Sequence, residues 1–363
     1  MKKITIKGLS LLLFIILTAV SLELKAEPYL AVRTGQTCIA CHVNPTGGGK
    51  RSDAGAVYGQ QVLPSSPSTD VWNGRINPYI ALGTNIRASA RFLDRKVAGN
   101  ESSFETERAS VYLEITPSTN QLTLYIDELL SPTASNRETY ALLWNEKRNL
   151  YMKAGRFFLP YGFRLEDDTA FIRNVSGVNF NNSDNGVEGG YESTNWSIQA
   201  SLTNGTNGGS ETNTDKQLSL RAEHIQSRWR AGASINQNQS TVTTESMMWN
   251  VFSAINWLGM EWLAEYDSIT DTSTGVNDKD RSAAFLEANY LLRKGHNLKL
   301  TLEYYDPDRD VSEDIQTRNS IVWEYTPMSL LQLRVGMRIA EGIPQAVDNQ
   351  NDDLLFVQLH SWF

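Results

Sequence analysis

Only two cysteines occur in the 363 residues, and a histidine follows the second directly: Cys38-Ile39-Ala40-Cys41-His42. Two thiols at this spacing can close a disulfide, serve as a redox dithiol, or each add to a vinyl group of a haem. Neither of the first two needs His42, whereas c-type haem attachment does. We therefore expect one covalently attached haem c, with Cys38 and Cys41 as thioether positions and His42 as proximal ligand to the iron. The disulfide or dithiol remains the alternative. A zinc site would need two more ligands, and residues 43–67 hold no His, no Cys and a single Asp. Gly49-Lys50-Arg51-Ser52 approaches a phosphate-loop pattern, but Arg51 breaks it and no strand precedes it. No catalytic residue is assigned.

The elements that must position this motif fall into three stretches. Residues 1–26 read as a secretory signal: Lys2, Lys3 and Lys7, an apolar run from Leu9 to Leu22, then Ala26 as a cleavage point. An uncleaved anchor is the alternative. Residues 27–70 are rich in Gly, Pro and Ser, as in Pro45-Thr46-Gly47-Gly48-Gly49, and should wrap rather than form a sheet. This is the expected monohaem segment. Residues 71–363 carry period-two alternation to the last residue. Ile80, Leu82, Ile86, Ala88, Ala90 and Phe92 share one face of the first such stretch, and Gly83, Asn85, Arg87, Ser89 and Arg91 the other.

Sixteen such segments run at about 76–92, 104–116, 121–130, 137–145, 149–158, 184–193, 195–204, 217–226, 228–238, 243–257, 260–270, 280–293, 296–306, 315–326, 328–341 and 352–363. Connections alternate between short (Glu146-Lys147-Arg148, Leu258-Gly259, Lys294-Gly295, Pro327) and long (93–103, 159–183, 205–216, 342–351). An even number of amphipathic strands with this asymmetry predicts an all-β fold, a 16-stranded antiparallel outer-membrane barrel. Trp72, Trp144, Trp196, Trp229, Trp257, Trp262, Trp323 and Trp362 fall near the short-turn ends, as an aromatic belt would; only Trp249 is mid-strand. An exported β-sandwich with core tryptophans is the alternative. Short turns face the periplasm in such barrels, so the haem segment starts on that side. It then either sits below the barrel or enters the lumen as a plug, and we expect the plug.

No Met or His occurs between 43 and 151. A sixth iron ligand must then be Lys50, Tyr58 or water, or come from the barrel, where His224, Met260, His296, Met328 and His360 map to the short-turn end. Parity turns His360 inward, so it is named first; an ordinary hydrogen-bonded or interfacial histidine is the plain alternative. Arg87, Arg91, Arg108, Lys153, Arg221, Arg334 and Arg338 should line the lumen beside Glu114, Asp127, Glu265, Glu287 and Glu303, and lumen arginines would suit haem propionates. Removing residues 1–26 takes away four Lys and one Glu and leaves 29 Lys+Arg against 40 Asp+Glu. That acidic balance argues against nucleic acid and for cations or basic partners. Asp306-Pro307-Asp308-Arg309-Asp310 lacks the Gly and Glu of a calcium loop.

Arg33-Thr34-Gly35-Gln36-Thr37-Cys38-Ile39-Ala40-Cys41-His42 followed by a barrel resembles the outer-membrane monohaem cytochrome–porin fusions of the iron-oxidising type. Gly155-Arg156-Phe157-Phe158-Leu159-Pro160-Tyr161-Gly162 resembles a motif of phosphate-selective-type porins. The first resemblance implies an electron conduit that oxidises an extracellular donor such as Fe(II), an Fe(II):cytochrome oxidoreductase type of carrier. Its implied partners are outer-membrane lipid, periplasmic c-type cytochromes or other carriers, and an extracellular redox substrate. The same conduit run outward, or a solute channel with an accessory haem, are the other functional expectations.

Overall fold

The computed structural model describes residues 27–363 apart from 96–98, 118–120, 168, 179–181, 212, 242–243, 274, 276–277 and 343–351. The expected signal lies outside the described residues. Sixteen strands form the body: β1 Ile80–Asp94, β2 Glu101–Ile115, β3 Leu122–Ser131, β4 Ser135–Trp144, β5 Leu150–Phe158, β6 Ser183–Glu192, β7 Trp196–Thr203, β8 Gln217–Ile225, β9 Trp229–Thr241, β10 Thr244–Trp257, β11 Met260–Ser273, β12 Lys279–Arg293, β13 His296–Asp306, β14 Gln316–Met328, β15 Leu331–Glu341 and β16 Asp353–Trp362. Each pairs antiparallel with its sequence neighbours, and β16 returns to β1 to close the barrel, with Arg87 opposite His360 and Asn85 opposite Trp362.

The alternation runs inside out relative to a soluble protein. Ile86, Leu143, Met152, Val187, Leu302 and Leu359 are exposed on the outer wall, while Asn85, Arg87, Ser89, Asn236, Asn289 and Gln358 are buried facing in. Closure satisfies every backbone group between strands, so the outside can be apolar without an open edge. A polar-lined barrel with an apolar exterior is built to cross a membrane. The charges expected in the lumen do face it. Lys153 and Glu188, cross-strand neighbours, pair at 2.8 Å with both side chains fully buried.

Three expectations need correcting. Trp144 and Trp362 do not join an outer belt: they share the inward parity of Leu142 and His360 and are 2 % exposed. Trp72 precedes β1 and packs against Phe363, with ring centroids 4.2 Å apart and tilted by 36°. The turn expected at Pro327 comes later, because β14 runs on to Met328 through a register shift, a place where a residue without an N–H breaks no ladder bond. Most consequential, the long connection after β5 is not an external loop. The described residues of 159–182 fold into the lumen around the short helix α3, Phe171–Asn174.

That loop is held from wall to wall. The Arg221 Nε on β8 donates to the Gly162 carbonyl at 3.0 Å, the Phe163 N–H to Glu265 on β11 at 2.7 Å, and the Phe171 N–H to Glu303 on β13 at 2.7 Å. Arg338 on β15 pairs with Asp167 and Arg87 on β1 with Glu166. Its apolar residues Phe163, Leu165, Phe171 and Ile172 pack with Tyr29, Leu30 and Val32 and with inward Phe252, Leu263 and Phe285. A hydrophobic core thus sits inside the barrel.

Candidate functional site: a Cys-x-x-Cys-His turn in the barrel lumen

The N-terminal segment shares that core. Its first helix α1, Pro28–Thr34, starts with Pro in the first turn and ends on left-handed Gly35. A 3-10 turn, Cys38–Ala40, carries the first cysteine. Then α2, Asp53–Val57, continues into one π turn, Tyr58–Val62. Ser52 caps α2 through the Gly55 N–H, and its hydroxyl also donates to the Ala40 carbonyl at 2.9 Å. The Ser52 N–H donates to the Cys41 carbonyl at 2.9 Å. The Gly-Lys-Arg-Ser stretch is therefore a brace behind the cysteine turn, not a phosphate loop.

The segment touches the barrel on all sides. Tyr29 donates to Glu324 on β14 at 2.9 Å, and Arg33 to Glu261 on β11 at 2.7 Å. Arg230 on β9 donates to the Gln36 carbonyl at 3.0 Å. Asn44 donates to Glu138 on β4 at 3.0 Å, the Lys50 N–H to the Tyr125 hydroxyl on β3 at 2.9 Å, and Lys50 pairs with Glu114 on β2 at 3.0 Å. The Arg51 guanidinium lies 5.1 Å from the Trp362 ring on β16. Ile39 and Val43, which flank the motif, pack on a wall of Tyr112, Tyr125, Tyr140, Trp144, Tyr151 and Phe157. Of the two expected positions, below the barrel or within it, the segment occupies the lumen.

Two cavities meet at His42. One is lined by Cys38, His42, Gly47, Gly48, Arg164, Arg221 and Arg230 among others. The other is lined by His42, Gly48, Arg51, Glu166, His360 and Trp362 among others. Cys38 and His42 are thus brought to a common space. Cys41 is not: it is fully buried behind the turn. Cys38 carries a free thiol.

Gly47, Gly48 and Gly49 all have positive φ, 85°, 72° and 65°. The run lets the backbone pass close to Cys38, where a Cβ on Gly47 would come within 3.4 Å of its Sγ. Burial pushes the Cys38 thiol up, with Arg230 drawing it back. Burial lowers Arg51 to about 10. Burial alone would raise Glu166, but Arg87, His360 and Arg334 outweigh it and hold this carboxyl well below the usual range.

A third space opens toward the long-loop end between the inward loop and β1, β2 and β12–β16. Glu27 and Glu166 line both it and the His360 cavity. Among the described residues no group of three His, Cys, Asp or Glu side chains forms a metal site, and the Asp306–Asp310 stretch instead folds on itself, the Asp310 N–H donating to Asp308.

The barrel as a whole has known counterparts. It is similar to a loop-deletion form of OmpT, an outer membrane protein of Vibrio cholerae, with a TM-score of 0.61 and 14 % identity over 78 % of this chain and 99 % of that one. An anion-selective porin from Comamonas acidovorans matches with a TM-score of 0.61 and 9 % identity, over 78 % and 99 %. The fold is porin-like. A mutant of the Rh. blastica porin matches at TM-score 0.53 and 13 % identity, over 78 % and 100 %. No family model and no curated protein sequence matches the chain.

The residues around the turn fit a c-type haem at Cys38 and His42, whereas Cys41 would have to turn out of its buried position to form the second thioether. A thiol and an imidazole share a cavity, glycines cradle it, the guanidinium groups of Arg164, paired with Glu138, and of Arg221 and Arg230, paired with Glu223, line it, and the buried Nε2 of His360 in the adjoining cavity has no hydrogen-bond partner. Arg164, Arg230 and Trp362 escaped the sequence reading. Only the folding of residues 159–182 brings Arg164 to the turn; for Trp362, strand parity held the signal.

Proposed function

We propose that this chain is an outer-membrane electron conduit, a c-type monohaem porin fusion. Cys38, Cys41 and His42 would hold the haem, and the chain would pass electrons between an extracellular donor, Fe(II) favoured, and periplasmic c-type cytochromes or other carriers. The observation that carries this reading is the Cys-x-x-Cys-His turn lodged inside the lumen on a cavity that adjoins the long-loop vestibule. The haem supplies one-electron chemistry at iron when bound.

The apolar band of such barrels is ~25 Å tall. A redox centre below the barrel leaves that whole distance to cross, whereas one inside the lumen divides it into two shorter gaps. The protein's own residues do the rest. His42 offers the proximal imidazole, Arg164, Arg221 and Arg230 offset negative charge, and the loop pinned by Glu166 and Asp167 screens the cavity from bulk solution. The lumen filled by two segments speaks against a plain solute channel. The acidic chain draws cations toward its mouth.

The test is anaerobic mixing of purified, haem-loaded protein with Fe(II), followed by the visible spectrum. We expect reduction of the haem. Covalent haem that Fe(II) does not reduce at any relevant pH would contradict the inward direction, and the midpoint potential would then point to outward transfer.

A further inference from the structure

We infer that His360, on the closing strand β16, is the second axial ligand of the iron, opposite His42. The inference rests on the haem reading above and adds the group that completes the coordination.

The sequence offered seven protein candidates for that position, and the fold separates them. His224 lies outside, between the rings of Trp196 at 4.5 Å and Trp229 at 5.4 Å, with Nε2 2.8 Å from the Gln226 amide. His296 reaches the rim of the cavity, but its ring is stacked on Tyr325 at 4.2 Å in the outer aromatic row with Trp323. Met260 faces an external groove and Met328 is exposed. Lys50 pairs with Glu114 at 3.0 Å and donates to the Arg51 carbonyl at 3.0 Å. Tyr58 is buried and lines neither cavity.

His360 alone among them points inward with a free donor atom. It is 4 % exposed and lines the same cavity as His42. Its Nδ1 faces Oε1 of Gln332, its cross-strand partner, at 3.4 Å. With the Gln332 oxygen accepting there, the ring proton sits on Nδ1 and Nε2 keeps a lone pair, the arrangement of a metal-binding imidazole fixed by an outer partner. Nε2 is buried with no hydrogen-bond partner. Trp362, 4.6 Å from the imidazole, buttresses the ring. Since β16 also closes the barrel against β1, the site is complete only when the barrel is closed.

The experiment compares haem-loaded full-length wild type with His360→Ala, His360→Gln and the rim control His296→Gln. Covalent haem is weighed by mass in each, and the ferric state is read by electron paramagnetic resonance and near-infrared magnetic circular dichroism. The expected result is a low-spin bis-imidazole signature in wild type and in His296→Gln. Both His360 variants should turn high-spin, bind carbon monoxide when reduced, shift in potential, and regain the low-spin signature with added imidazole. A wild-type haem without a second imidazole, or a bis-imidazole signature that survives in either His360 variant, overturns the assignment. Absence of covalent haem from wild type would instead overturn the reading of the cysteine pair.

Discussion

Around Cys41 the chain has no slack. A Cβ on Gly55 would run into the Cys41 carbonyl oxygen, which already accepts the Ser52 N–H. Gly55→Ala must therefore push α2 off the cysteine turn, and we expect a loss of about 1–3 kcal/mol by overpacking, read as a lower unfolding midpoint in denaturant and weaker haem loading. Replacing both Cys38 and Cys41 by Ala should abolish covalent haem, seen by mass and haem stain, while the barrel still folds, because neither thiol contributes to its wall. At this scale the sequence was legible where the signal is local. Cys-x-x-Cys-His is contiguous and readable. The arginines around it come from β8, β9 and the inward loop, so their convergence depends on tertiary folding. Trp144 and Trp362 sit at strand ends as belt residues do, and only their parity reveals that they point in.

Among the elements, the strands read clearly because a single buried face fixes a period of two and a register slip would invert every side chain. The loop between β5 and β6 did not. Its length alone matched an external loop, yet Leu159, Phe163, Leu165, Phe171 and Ile172 are too apolar for one, and all are buried. The pin between Glu166 and Arg87 has a pH consequence. A carboxyl depressed in the folded state stabilises above its unfolded value, near 4.5, and that stability is lost as pH falls through the lower folded value. Low conductance in planar bilayers should accordingly persist from neutral pH to about 4.5 and rise only below it, and Glu166→Gln should raise it at neutral pH. Conductance indifferent to both would show that the pin does not hold the loop. Between β5 and β6, Lys153→Met strands the buried Glu188 carboxylate; we expect a loss of about 3–5 kcal/mol, largely restored by adding Glu188→Leu, measured by a double-mutant cycle in denaturant.

For the molecule as a whole, the barrel encloses a second, smaller architecture made of α1, the cysteine turn, α2 and the inward loop. The outer shell is porin-like, and its strands were readable from alternation. The inner one has no periodicity to read, since short helices and turns take their shape from the wall around them. In the proposed conduit, enclosure routes electrons across the membrane by way of the lumen. The most direct measurement reconstitutes haem-loaded protein into liposomes that hold an oxidised soluble cytochrome c, then adds Fe(II) outside only. The proposed conduit requires reduction of the enclosed cytochrome by the wild type and none by the Cys38→Ala, Cys41→Ala double variant in equally sealed vesicles. Equal reduction by both, or none by a wild type carrying covalent haem, would contradict it.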